Sequence, residues 1–158
     1  MKPKGFSLVE LMVVIAIIGF LAMIGVPSFI KFLAKAKRAE AYMNLSSIYA
    51  AQKAYWAEHG EYSNVLSGEG GIGWKPEGYK GGGPQEKFYY TYGFAGSEGI
   101  NYFTGKLNTS SSNLSIAKAD KNSFVVVAAG DIDGDGKPDI LAVDEYNDIK
   151  VIQDDLAD

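Results

Sequence analysis

From Phe6 to Ile30 the chain is almost wholly apolar, with Glu10 as the one charge inside the stretch and Lys2 and Lys4 in front of it. These 25 residues make about 37 Å of helix at about 1.5 Å each, enough to cross a hydrocarbon core of about 30 Å with some tilt. Beyond them the pattern becomes amphipathic. Phe29, Phe32, Leu33, Ala36, Ala39, Met43, Leu45, Ile48, Tyr49, Gln52 and Trp56 step mostly by threes and fours, and Lys35, Arg38, Glu40 and Lys53 fall mainly on other faces. The predicted helix ends at Glu58-His59-Gly60, where glycine takes the left-handed cap and His59 sits near the negative end of the dipole. One helix over 6–58 would hold 53 residues and run about 80 Å. Pro27 removes one hydrogen bond from its interior and costs about 3 kcal/mol, so a kink is expected there, and Gly19 and Gly25 weaken the same stretch.

Residues 61–105 are rich in glycine and aromatics and read as a long surface loop. Strand signals follow at 87–94, 102–106, 124–129, 140–143 and 149–152, separated by Gly, Asn, Asp and Ser. They predict a small antiparallel sheet whose apolar face needs a cover, and the amphipathic half of the helix is long enough to supply it. The fold class is therefore α+β, a long N-terminal helix packed on a small antiparallel sheet. Phe88-Tyr89-Tyr90-Thr91-Tyr92 is expected to supply half-buried strand aromatics, against the alternative that Tyr79, Tyr89, Tyr90 and Tyr92 form a stacking surface for sugars, DNA or electron transport.

Glu10 needs an explanation. A secretory signal has an apolar core of about 7 to 15 residues and a small-residue cleavage site, and neither is present. A plain anchor has no use for a carboxylate that costs about 2.5 to 3.5 kcal/mol at mid-membrane. A third reading gives it a partner: cleavage between Gly5 and Phe6 would free an α-amine, and packed helices could pair one subunit's carboxylate with a neighbour's ammonium.

Gly5-Phe6-Ser7-Leu8-Val9-Glu10, followed by Gly19 and Pro27 in the apolar run, resembles the N-terminal segment of type IV pilins and pseudopilins. The resemblance implies the type IV pilin fold, cleavage after Gly5 by a membrane-embedded prepilin peptidase, and methylation of the new Phe6 amine. It also implies that Glu10 guides docking into a helical filament built with the inner-membrane assembly machinery, and that the stretch from Gly19 to Pro27 melts partly there. The precursor would sit in the inner membrane and the product in a surface pilus. Residues 1–5 are then the leader, 6–30 the membrane and filament-core helix, 31–60 its amphipathic half and 61–158 a globular head.

Charge and composition adjust this picture. The formal charge of −4 becomes −6 without Lys2 and Lys4, so no sequence-specific nucleic acid partner is expected. Lys31, Lys35, Lys37 and Arg38 follow the span, and the positive-inside rule alone favours the opposite orientation to the one the cleavage site requires. With no cysteine, no disulfide can staple the C-terminal loop as in many type IV pilins. Something else must hold that end.

Asp131-Ile132-Asp133-Gly134-Asp135-Gly136-Lys137-Pro138-Asp139 offers a candidate. Its spacing puts carboxylates at loop positions 1, 3, 5 and 9, glycine at 6 and the Lys137 carbonyl at 7, the pattern by which oxygens gather Ca²⁺. Position 12 is Ala142, so the bidentate glutamate of an EF-hand is missing. The plain alternative is an acidic turn without metal, since Asp and Gly form turns readily. Residues 131–158 carry a net charge of −8, however, and that repulsion favours a structural calcium ion.

No catalytic constellation is present: there is no cysteine nucleophile, the single histidine, His59, has no partner for catalysis in the sequence, and no phosphate loop occurs. An enzyme is not expected. The expected function is a structural subunit of a type IV pilus, serving adhesion, surface motility or DNA uptake as a homo-oligomer. A pseudopilin of a type II secretion system is the alternative, and a membrane-anchored calcium-dependent binding module is a third. Residues 41–62 resemble major type IVa pilins more, because the Tyr-Pro-Thr-type turn usual in major pseudopilins is absent after the helix.

Overall fold

A computed structural model describes residues 5–157; Met1 to Lys4, most of the expected leader, lie outside the described residues. One helix, α1, runs Leu8–His59, starting two residues later than the hydrophobic pattern suggests. The chain divides into two compact units, one ending at Leu33 and one beginning at Ala34.

In the first unit every described residue is exposed, including Phe20, Met23 and Ile24, and α1 is long and apolar enough there to cross a membrane. Pro27 stands inside the helix, and Ser28 Oγ next to it donates to the Ile24 carbonyl at 3.0 Å.

The second unit carries the sheet: β1 (Thr91–Gly93), β2 (Tyr102–Phe103), β3 (Lys118–Ala119), β4 (Phe124–Gly130), β5 (Asp139–Asp144) and β6 (Ile149–Gln153). The order is β2-β1-β4-β5-β6, with β3 also on β4, and these six strands pair antiparallel throughout. Period-two alternation divides its residues between two faces. Tyr92 pairs with Ala128, Ala128 with Leu141, and Val126 with Val143, and all of these join the larger core beneath α1. Val127, Ala129 and Ala142 point the other way, onto Leu114 of a 3₁₀ turn, Ser111–Leu114.

The face that α1 gives to the sheet is narrower and more polar than periodicity predicts. Ala34, Ala41, Leu45, Ile48 and Gln52 are buried, whereas Phe29, Phe32 and Met43 are exposed. Arg38 and Glu40, expected outward, both turn inward because the sheet supplies partners for them. Glu40 Oε1 accepts from Tyr89 N at 2.9 Å and from Tyr92 Oη at 3.2 Å, and burial raises its pKa despite these bonds. The helix end agrees with expectation: Gly60 takes φ +75° and donates to the Trp56 carbonyl at 2.8 Å. The His59 ring stacks on Tyr55 at 4.0 Å, with Nδ1 3.1 Å from the Tyr55 carbonyl, a terminal contact.

The Gly-rich segment differs from the expected surface loop. Its backbone is irregular up to β1, yet Tyr62, Leu66, Trp74, Phe88 and Tyr90 are buried. Trp74 meets Tyr92 and Phe103 edge-on at 6.0 and 5.9 Å and donates from Nε1 to Ser47 Oγ on α1 at 3.1 Å. Fully buried Gln52 fastens the start of the segment, donating to the Ser63 carbonyl at 2.6 Å and accepting from Ser63 N at 3.2 Å. Of the four tyrosines, Tyr90 and Tyr92 are completely buried, while Tyr79 and Tyr89 pack partly buried against the core. Gly105 shows how tight the packing is, since a Cβ there would come within 2.3 Å of the Tyr90 carbonyl oxygen. Gly105→Ala should therefore displace backbone and lower the melting temperature by several degrees, a change circular dichroism would register.

Candidate functional site

The first candidate site is the start of α1. Ser7 precedes the first helical residue and Glu10 is the third residue of the helix, so the sequence places Ser-x-x-Glu where a capping box requires it. Glu10 Oε2 accepts from Ser7 N at 2.9 Å and from Ser7 Oγ at 2.8 Å, while Glu10 N donates to Ser7 Oγ at 3.2 Å. Within one chain the carboxylate thus serves orphan donors at a helix N-terminus, a local role the hydrophobic pattern conceals. Gly5 and Phe6 are exposed and precede the helix, so the backbone between them is accessible.

The second site joins the β4–β5 loop to the C-terminal tail. Asp131 Oδ1 and Oδ2 accept from Gly134 N at 2.7 Å and Gly136 N at 3.0 Å, and Gly134 and Gly136 take φ of +88° and +92°. Asp133 Oδ1 accepts from Asp135 N at 3.1 Å, and Asp135 Oδ1 from Lys137 N at 2.7 Å. These side-chain turns wind the loop so that Asp131, Asp133 and Asp135 converge, as their spacing predicts. Lys137 Nζ lies 3.8 Å from Asp135 Oδ2.

Asp139 is not with them. It is fully buried as the first residue of β5, where Arg38 donates to both its oxygens at 2.9 and 2.5 Å and Tyr90 Oη donates to Oδ2 at 2.6 Å. An arginine fork and a phenol outcompete a loop role for a carboxylate pulled under the sheet edge. Burial works against the Arg38 charge, but Asp139 and Asp154 more than compensate and raise its pKa. Burial, then the bond to Asp139, raises that of the Tyr90 hydroxyl.

Asp155 takes the place expected for Asp139. One carboxylate oxygen each from Asp131, Asp133, Asp135 and Asp155 lies within 4.8 Å of the others. Asp155 Oδ2 accepts from Ile132 N at 2.9 Å, and Asp155 N donates to Asp139 Oδ1 at 3.2 Å. Burial chiefly, and the Asp133 and Asp131 charges secondarily, raise its pKa. Asp154 completes an ion pair with Arg38, which holds its carboxyl below the usual range. The tail is thus held by Arg38, Asp139 and Asp155, the work a disulfide would otherwise do. Sequence spacing could not find Asp155, because the β5–β6 hairpin alone brings it beside residue 132.

Comparison with known proteins supports the N-terminal reading. The family described as the prokaryotic N-terminal methylation motif matches residues 1–26. The type IV major pilin protein PilA of Myxococcus xanthus is 49% identical over 76 residues, 48% of this chain and 33% of that protein. A fimbrial protein of Neisseria meningitidis serogroup B is 41% identical over 59 residues, 37% of this chain and 35% of the relative. The fimbrial protein EcpB of Eikenella corrodens is 41% identical over 71 residues, 45% of this chain and 44% of the relative. The matched segment therefore spans about a third to under half of these relatives' lengths. The methylation motif reaches into a 52-residue helix that covers an antiparallel sheet, and over its N-terminal half the chain is similar to type IV major pilins.

Proposed function

We propose that this chain is a structural subunit of a type IV pilus, a helical homo-oligomer serving adhesion, surface motility or DNA uptake. The observation that carries the reading is an unburied apolar helix half bearing one carboxylate, Glu10, within the methylation motif. Such a surface is stable in lipid before assembly and against copies of itself afterwards. The precursor sits in the inner membrane and the assembled subunit outside the cell. Prepilin peptidase cuts between Gly5 and Phe6, the Phe6 amine is methylated, and the assembly machinery delivers the subunit to the filament base. There Glu10 exchanges its bonds to Ser7 for the ammonium of a neighbour's Phe6, which leaves both charges paired in a dry bundle. Gly19 and Pro27 mark the stretch with least helical propensity, where the subunit lengthens in the fibre.

Processing gives the experiment. Gly5→Val places a branched side chain at the position the peptidase reads, so the leader should stay attached and the protein should remain in the inner membrane. Intact-mass measurement of membrane fractions checks it. Normal filaments built from subunits that retain Met1 to residue 5 would contradict the reading.

A further inference from the structure

Among the described residues, two buried side-chain oxygens lack any hydrogen-bond partner, Glu86 Oε2 and Asp155 Oδ1. The second belongs to a residue only 5% exposed, and its carboxylate is one of the four that converge around the β4–β5 loop. A buried carboxylate oxygen without a donor is costly, and three further acidic side chains beside it make it more so. A cation bound among them removes both penalties. We propose that Asp131, Asp133 and Asp135 of the β4–β5 loop and Asp155 of the C-terminal tail form a binding site for one Ca²⁺ ion, which clasps the end of the chain to the sheet.

Ligand chemistry and the flexibility of the loop favour calcium. All four donors are hard oxygens. Calcium–oxygen bonds of about 2.3–2.6 Å place opposite ligands about 4.6–5.2 Å apart, so donor oxygens that all lie within 4.8 Å of one another can share one ion. Magnesium, at about 2.0–2.1 Å, needs opposite ligands within about 4.2 Å and surrenders its waters reluctantly. The Ile132 amide fixes Asp155 through Oδ2 and leaves Oδ1 for the metal. The loop alone contributes three carboxylates; the fourth comes from the tail, so the ion binds well only while residue 155 is docked. Calcium binding and C-terminal order are thereby one equilibrium.

The test is hydrogen exchange on the full chain in detergent micelles, with calcium chloride or a calcium chelator at matched ionic strength; it needs no filaments and is independent of the pilus reading. At calcium a hundredfold above Kd, the Ile132 and Asp155 amides should exchange about a hundredfold more slowly than in chelator, because opening must release the ion. Magnesium should slow them much less. Asp155→Asn should abolish the calcium response, and Asp133→Asn, at an exposed loop position that leaves the core untouched, should reduce it strongly. Equal exchange of the unmodified protein in calcium and chelator would overturn the proposal, as would a wild-type response from Asp155→Asn. If Asp155→Asn does not fold, Asp133→Asn decides: an undiminished calcium response there overturns the site.

Discussion

Arg38→Met should destabilise the globular unit by about 3–5 kcal/mol, because it removes the cation from a buried pair and leaves the fully buried Asp139 with an unbalanced charge. For a unit of this size the loss corresponds to a fall in melting temperature of roughly 10–20 °C. Little of the effect should come from Asp154, whose side chain is 43% exposed and therefore screened. The two contributions separate in a double-mutant cycle. Asp139→Asn alone should cost less than Arg38→Met, since Asn still accepts from Tyr90 and carries no charge to strand, and adding Asp139→Asn to Arg38→Met should restore part of the lost stability. Thermal unfolding of the detergent-solubilised chain checks all three variants. A melting temperature unchanged in Arg38→Met would mean that the tail is held by something other than this pair.

Glu10→Val should abolish or sharply reduce filaments while leaving membrane insertion intact or improved, since it takes from the span a charge costing up to about 2.5 to 3.5 kcal/mol. The capping box offers a competing explanation for any Glu10 phenotype, because a lost cap weakens the helix by about 1 kcal/mol. Ser7→Ala distinguishes the two. It removes the hydroxyl that holds the cap together but keeps the carboxylate, so filaments should persist near normal amounts. Glu10→Gln keeps a hydrogen-bond acceptor and should fall between wild type and Val. Quantifying sheared surface fibres from cells of each variant is the measurement. Wild-type filament levels in Glu10→Val would sink the intersubunit pairing, and equal losses in Ser7→Ala and Glu10→Val would reduce Glu10 to a helix cap.

The parts of the fold that could be read from the sequence are those fixed by local pattern. The long helix, its glycine cap at Gly60 and the strands at β4, β5 and β6 all follow from periodicity and turn residues. So does the stripe of Leu45, Ile48 and Gln52 beneath the sheet. What escaped depends on contacts distant in sequence. Arg38 and Glu40 looked like solvent residues because nothing nearby announces Asp139, Tyr89 or Tyr92 as partners. Trp74 and Leu66 lie among glycines that suggest a free loop, and only the core that α1 shares with β1 and β2 gives them a place. Strand β3 is two residues long and leaves no alternation to detect. In the acidic loop, local geometry brings Asp131, Asp133 and Asp135 together as their spacing suggests, whereas Asp139 turns to Arg38, 101 residues earlier in the chain.

The central claim is that the exposed apolar half of α1 becomes the core of a filament after the leader is removed. Shearing surface fibres from cells, imaging them by electron microscopy and measuring the intact mass of their subunit tests it most directly. The account predicts long fibres whose main subunit is this chain, beginning at Phe6 and heavier by one methyl group. Fibres lacking the chain, or built from subunits that still begin at Met1, would contradict it.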